Sequence, residues 1–84
     1  MADSFTYEDL KEILTGRVGM EPEEVPEDPG TAFADCGVDS LAIMEIQLEL
    51  EQRYGFEVTE ADAAGIKTFA DAVRFVQDKL DGGQ

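Results

Sequence analysis

The chain of 84 residues has no histidine, no tryptophan and a single cysteine. Without an imidazole no Ser-His or Cys-His couple can form, and an ordinary zinc site loses its commonest ligand. Neither the D-x-[DN]-x-[DN]-G spacing of a calcium loop nor the phosphate-cradling G-x-x-x-x-G-K-[ST] occurs. No catalytic residue and no metal site are therefore assigned. The lone Cys36 excludes an internal disulfide and fits a reducing, cytoplasmic setting. No apolar run approaches the roughly twenty residues that span a bilayer. Asp3, Glu8, Asp9 and Glu12 interrupt the start of the chain, unlike a signal peptide. Positive charge is also scarce: 6 basic residues face 20 acidic ones, for a net charge of -14. Nucleic acid and anionic lipid should repel such a chain, while partners with basic patches should be drawn to it. Ten acidic residues and no lysine or arginine lie between Val18 and Gln52.

What the chain does have is helical periodicity. Hydrophobic residues make up 43% of it, enough for one small core, and residues 1–84 are expected to form a single domain. Leu10, Ile13, Leu14 and Val18 predict a helix from about Tyr7 to Val18, closed by Gly19 and weakened by Gly16. The clearest helix runs from Ser40 to Tyr54, with Gly55 and Phe56 suited to a Schellman-type stop. A short helix is expected over Glu60–Ala64. A last one spans about Phe69 to Leu80, with Phe69, Val73, Val76 and Leu80 on one stripe and Gly82 beyond its end. The connection from Gly19 to Val38 is long, stiffened by Pro22, Pro26 and Pro29, with Met20, Val25 and Phe33 as anchors and a helical turn near Thr31–Ala34. The expected class is all-α: a small antiparallel four-helix bundle of three main helices and one short helix.

Three helix starts share one signature: Thr6…Asp9, Thr59…Asp62 and Thr68…Asp71. In each, the threonine caps free N–H groups and the acid reaches back. The second helix departs from this rule, because Asp39 and Ser40 can both serve as N-cap. If Asp39 does so, the Ser40 hydroxyl is left facing solvent. At about 100° per residue, Leu41, Met44 and Leu48 cluster on one side of that helix. Ile43, Ile46, Leu50 and Tyr54 cluster on the other. The second set is larger and is assigned inward. The first set, bordered by Glu45, Glu49 and Glu51, then forms an exposed apolar strip rimmed with acid, suited to docking a basic partner. The alternative is a helix buried on both sides.

The stretch Phe33-Ala34-Asp35-Cys36-Gly37-Val38-Asp39-Ser40-Leu41 resembles the attachment motif of acyl carrier proteins, and the resemblance extends over nearly the whole chain. It implies that Ser40 receives 4'-phosphopantetheine from coenzyme A, whose thiol then carries acyl groups as thioesters. Asp39 would cap the helix and help position the transferase's metal. Leu41, Met44, Glu45, Leu48 and Glu49 would form the recognition face, and Gly37 would let the loop approach closely. Cys36 departs from the more usual leucine. Ala42 after Asp-Ser-Leu, and Glu51-Gln52-Arg53-Tyr54-Gly55, look most like the free-standing carriers of type II (aromatic) polyketide synthases, which serve antibiotic biosynthesis. The partners so implied are a phosphopantetheinyl transferase, a malonyl-CoA:carrier transacylase, a ketosynthase and tailoring enzymes, with the carrier monomeric. Two other readings stay open: a carrier for fatty acid or other acyl transfer, and an acidic helical adaptor that is never modified.

Overall fold

A computed structural model describes residues 5–82. Its four α-helices are α1 (Tyr7–Ile13), α2 (Ser40–Tyr54), α3 (Glu60–Ala64) and α4 (Phe69–Gly82). No β-strand occurs among the described residues, where the only ladder contact is a single antiparallel bridge between Ala32 and Thr68. The fold is a small four-helix bundle, as the periodicity predicts.

The core forms where the stripes meet. Phe5, Leu10, Ile13, Leu14, Phe33, Ile46, Leu50, Phe69, Ala72 and Val76 are buried in one cluster, each large side chain contributing about 1.5–3 kcal/mol. On α4 the buried line is Phe69, Ala72 and Val76, and Val73 and Leu80 flank it half-buried. Phe5 donates more than area: its ring meets Tyr54 edge-on at 5.7 Å, and its carbonyl accepts a hydrogen bond from Gln77 Nε2 at 2.7 Å. Tyr54 then stacks on Phe56, and Phe56 meets Phe75. This aromatic relay closes the end of the bundle where α2 stops.

The capping signatures are realised as read. Thr6 and Thr59 form capping boxes with Asp9 and Asp62. Thr68 Oγ1 accepts from the Asp71 N–H at 3.0 Å, and Asp71 Oδ2 accepts from the Thr68 N–H at 3.1 Å. The Thr59 N–H holds the Asp62 carboxyl below the usual carboxylate range, and the Lys67 N–H, which donates to Asp71 Oδ2 at 3.1 Å, followed by that of Thr68, does the same for Asp71.

The first helix differs from the expectation in its last turn. After Ile13 it widens into a π-helical turn, Leu14–Val18, before Gly19 closes it in the left-handed conformation at φ 89°. Thr15 supplies a cause. Its hydroxyl donates back to the carbonyls of Lys11 and Glu12 at 3.0 and 3.4 Å, competing with the α-helical N–H groups for them. Gly16 next to it has little helix propensity to resist.

Three other boundaries are corrected. Gly55 ends α2 through a single bond from its N–H to the Glu51 carbonyl, at 2.9 Å, the simpler left-handed stop rather than the Schellman pair. Gly82 lies inside α4 and not beyond it. The helical turn expected near Thr31–Ala34 falls instead at Phe33–Cys36. Thr31 and Ala32 are taken by the bridge, where the Phe33 N–H reaches Lys67 O at 2.9 Å and the Phe69 N–H reaches Thr31 O at 3.4 Å. The connection from α1 to α2 is thus fastened to the start of α4, and Met20, Val25 and Phe33 all pack on the core. Tyr7 adds a further tie, its hydroxyl donating to the Pro26 carbonyl.

Candidate functional site

The site begins at the 3-10 turn Phe33–Cys36. Phe33 is buried against Phe69, ring centroids 4.4 Å apart, and this fixes where the chain leaves the core. Gly37 follows at φ 76°, with nothing within 4 Å of the position a Cβ would take. Its need for glycine is therefore one of backbone conformation, not of close approach as the motif had suggested. Cys36 is half-buried and packs on the core cluster. Val38 is buried, and the next two residues emerge into solvent.

Asp39 is the N-cap of α2. Its Oδ1 accepts from the Ala42 N–H at 3.0 Å, and its carbonyl accepts from the Ile43 N–H at 3.0 Å. The two donors that a capping hydroxyl would serve are thus already held, which decides between the two candidate caps. Ser40 occupies the first helical position, exposed, and its hydroxyl makes no hydrogen bond among the described residues. The N–H groups of Ser40 and Leu41, in the first turn, have no intrahelical acceptor. An anionic group on Ser40 would meet these donors and the positive end of the helix dipole. The residues present fit a phosphodiester at this position.

The outward strip of α2 is as read: Leu41, Met44 and Leu48 are the exposed large hydrophobics, at 65%, 53% and 43%. Ile46 and Leu50 are buried, and Ile43 and Tyr54 pack partly buried behind them. The acidic border is less simple. Glu51 faces the loop after α2, where its Oε2 accepts from the Val58 N–H at 2.9 Å while Gln47 Nε2 donates to the Val58 carbonyl at 3.3 Å. It straps the α2–α3 connection. Glu45 and Glu49 edge the strip, but they are not free. Arg17 Nε donates to Glu45 Oε1 at 3.1 Å, and Arg17 Nη1 donates to Glu49 Oε1 at 2.8 Å. Arg53 Nη2 holds the other oxygen, Glu49 Oε2, at 3.0 Å. These contacts raise the Arg17 pKa, the hydrogen bond to Glu45 first among the causes. Sequence reasoning missed Arg17. The available signal was its place at the very edge of the acidic stretch, next to Val18, with Arg53 at the other edge.

The phosphopantetheine attachment site family matches residues 8–76. The chain belongs to the acyl carrier protein family. An acyl carrier protein of Chlamydia muridarum is 32% identical over 72 residues, covering 86% of this chain and 92% of that protein. That of Sulfurovum sp. is 32% identical over 72 residues, covering 86% and 95%, and that of Wolinella succinogenes 32% over 71 residues, covering 84% and 92%. The protein is accordingly a carrier and not a catalyst, and its cofactor is covalently attached 4'-phosphopantetheine. Transferases that install the arm and synthase enzymes that use it are the partners of the family in general. Among the described residues no helix is long and apolar enough to cross a membrane.

Proposed function

We propose that Ser40 is the attachment residue, and that the carrier serves a type II aromatic polyketide synthase in the cytoplasm as a single domain. The observation that carries the first half is the uncommitted Ser40 hydroxyl, set beside three other helix-start hydroxyls that are all engaged in caps. Asp39 keeps it so by taking the capping work. In the transfer, Ser40 Oγ forms a bond to the pantetheine-side phosphorus of coenzyme A. The bond from that phosphorus to the bridging oxygen breaks, 3',5'-adenosine bisphosphate leaves, and the serine proton passes to a base of the transferase. Once attached, the arm supplies a thiol that holds acyl groups as thioesters. The chain's own part is to present the serine on a rigid helix end, and to offer Leu41, Met44 and Leu48 with Glu45 and Glu49 to the enzyme that docks. Asp39 Oδ2, which has no hydrogen-bond partner among the described residues, is oriented for the transferase's metal by the cap that Oδ1 makes.

Support for the polyketide reading comes from the first turn of α2. It carries no acidic residue, since Ala42 stands where primary fatty acid carriers tend to have one, and Glu51-Gln52-Arg53-Tyr54-Gly55 follows at its end. Intact-mass measurement after incubation with coenzyme A, Mg²⁺ and a broad-specificity transferase tests the site. Wild type should gain one arm and Ser40→Ala none; an arm on Cys36, or none on wild type, would sink it. For the pathway, the malonyl-loaded carrier should turn over faster with a type II polyketide ketosynthase than with a fatty acid ketosynthase, and the reverse order would reassign it.

A further inference from the structure

Arg17 is drawn across from the π-helical turn that follows α1 to an acidic rim that lies 28 and 32 residues further along the chain. It reaches two carboxylates at once, and Arg53 closes the second oxygen of Glu49, whose side chain is only 18% exposed. Both oxygens of Glu49 therefore already carry a guanidinium donor, and Glu45 carries one. A cationic side chain arriving from a partner meets carboxylates that are partly neutralised, and of their four oxygens only Glu45 Oε2 has no guanidinium donor among the described residues.

We infer that Arg17 is a specificity-determining residue: in the free carrier it occupies the acidic rim of α2, and a docking enzyme must displace it to engage Glu45 and Glu49. This rests on reading the Leu41, Met44 and Leu48 strip as the docking surface. The competition sets a condition on the partner. A single ammonium group exchanges one ion pair for another and gains little. A patch with two cationic donors, one for Glu45 Oε1 and one for Glu49 Oε1, replaces everything that Arg17 gives up, while Arg53 keeps the other oxygen of Glu49. The released Arg17 would then face the rim of the interface, ready for an acidic group there. Exposed pairs of this kind shift an equilibrium by no more than about fivefold, so the device grades partners and does not block them.

The test is the kcat/KM of a broad-specificity phosphopantetheinyl transferase with coenzyme A and the apo carrier, at low ionic strength. Arg17→Gln and Arg74→Gln change net charge equally, but Arg74 lies on α4. Arg17→Gln should raise kcat/KM by about two- to fivefold through KM, and Arg74→Gln by less. Glu49→Gln should slow transfer more in the Arg17→Gln background than in wild type. Equal rises for the two arginine variants would reduce the effect to net charge and overturn the proposal. A fall with Arg17→Gln would overturn it too, making Arg17 a direct contact for the enzyme. If Glu49→Gln slows transfer and Arg17→Gln does not speed it, the docking surface stands and this proposal alone fails. If Glu45→Gln and Glu49→Gln change nothing in either background, both fail. Independently of activity, the ¹⁵Nε–¹Hε signal of Arg17 should shift in Glu45→Gln and move the same way when transferase is added. An Arg17 signal indifferent to both additions would count against displacement. Should Arg17→Gln lose its fold, Arg17→Lys keeps the charge with a single-point contact, and its kcat/KM should lie above wild type; a value at or below wild type overturns the proposal.

Discussion

Asp39 and Gly37 shape the start of α2 in different ways, and substitutions separate them. Asp39→Ala removes the acceptor for the Ala42 N–H and should cost about 0.5–2 kcal/mol in chemical denaturation. Asp39→Asn keeps a capping oxygen and should cost little, yet should still slow arm transfer if the carboxylate positions the metal. Equal transfer rates for Asp39→Asn and wild type would leave Asp39 only its cap. At Gly37 nothing crowds the added methyl, so Gly37→Ala should cost the backbone term alone, about 1–2 kcal/mol for a left-handed residue. Gly37→Asn should cost less. That the Ser40 hydroxyl is left uncommitted was legible because its neighbours are local: a cap, a glycine and an apolar run. The reason for Gly37 was misread, because close approach and positive φ both select glycine and only coordinates distinguish them.

Each helix start rests on a threonine and an acid, and two of these acids carry a pH signature. The Asp62 and Asp71 carboxyls are depressed by the N–H donors they hold. Their folded pKa values lie below the unfolded ones, so their contribution is full above the unfolded pKa and is lost as pH falls through the folded one. Unfolding free energy measured downward from about pH 4 should therefore decline less steeply in Asp71→Asn than in wild type, although the variant starts lower at neutral pH. Parallel slopes would mean the cap survives protonation. On α2 the two stripes predict opposite behaviour. Ile46→Ala and Leu50→Ala empty buried sites, 5% and 3% exposed, and should cost about 2–5 kcal/mol. Met44→Gln and Leu48→Gln should stay within about 1 kcal/mol of wild type while slowing transfer to partners. If Met44→Gln unfolds as readily as Leu50→Ala, the strip is core. Helix positions and faces were legible because their periods are short. The π turn was not, since it depends on where the Thr15 hydroxyl goes, and a threonine in a helix can equally point to water.

Over the whole molecule, a net charge of -14 acts against compaction. Melting temperature should climb by several degrees between low and moderate ionic strength, and Mg²⁺ should achieve this at lower concentration than Na⁺. An unchanged melt would mean the charges are too dispersed to matter. Ion pairs do not offset the repulsion strongly: those of Arg17 and Lys11 with their glutamates are half-exposed, and such pairs contribute little. The contacts that escape sequence reading are those that span the molecule. Phe5 on Gln77, Ala32 on Thr68 and Arg17 on Glu49 join residues far apart in the chain, and no local period announces them. The acidic stretch looked like a field of one sign because Arg17 and Arg53 stand just outside it in sequence; folding carries both into it.

The π turn after α1 has a genetic counterpart. Its bonds span five residues where α-helical bonds span four, so it behaves as a helix into which one residue has been inserted just before Arg17. Deleting Gly16 should therefore restore the narrower coil and leave the guanidinium near its present direction, since the wide turn already takes up the extra residue. A second residue inserted there has no such turn to absorb it and should swing Arg17 by about 100°, breaking its bridge to Glu45 and Glu49 with the arginine codon untouched. A carrier so altered would present an acidic edge with no internal claimant.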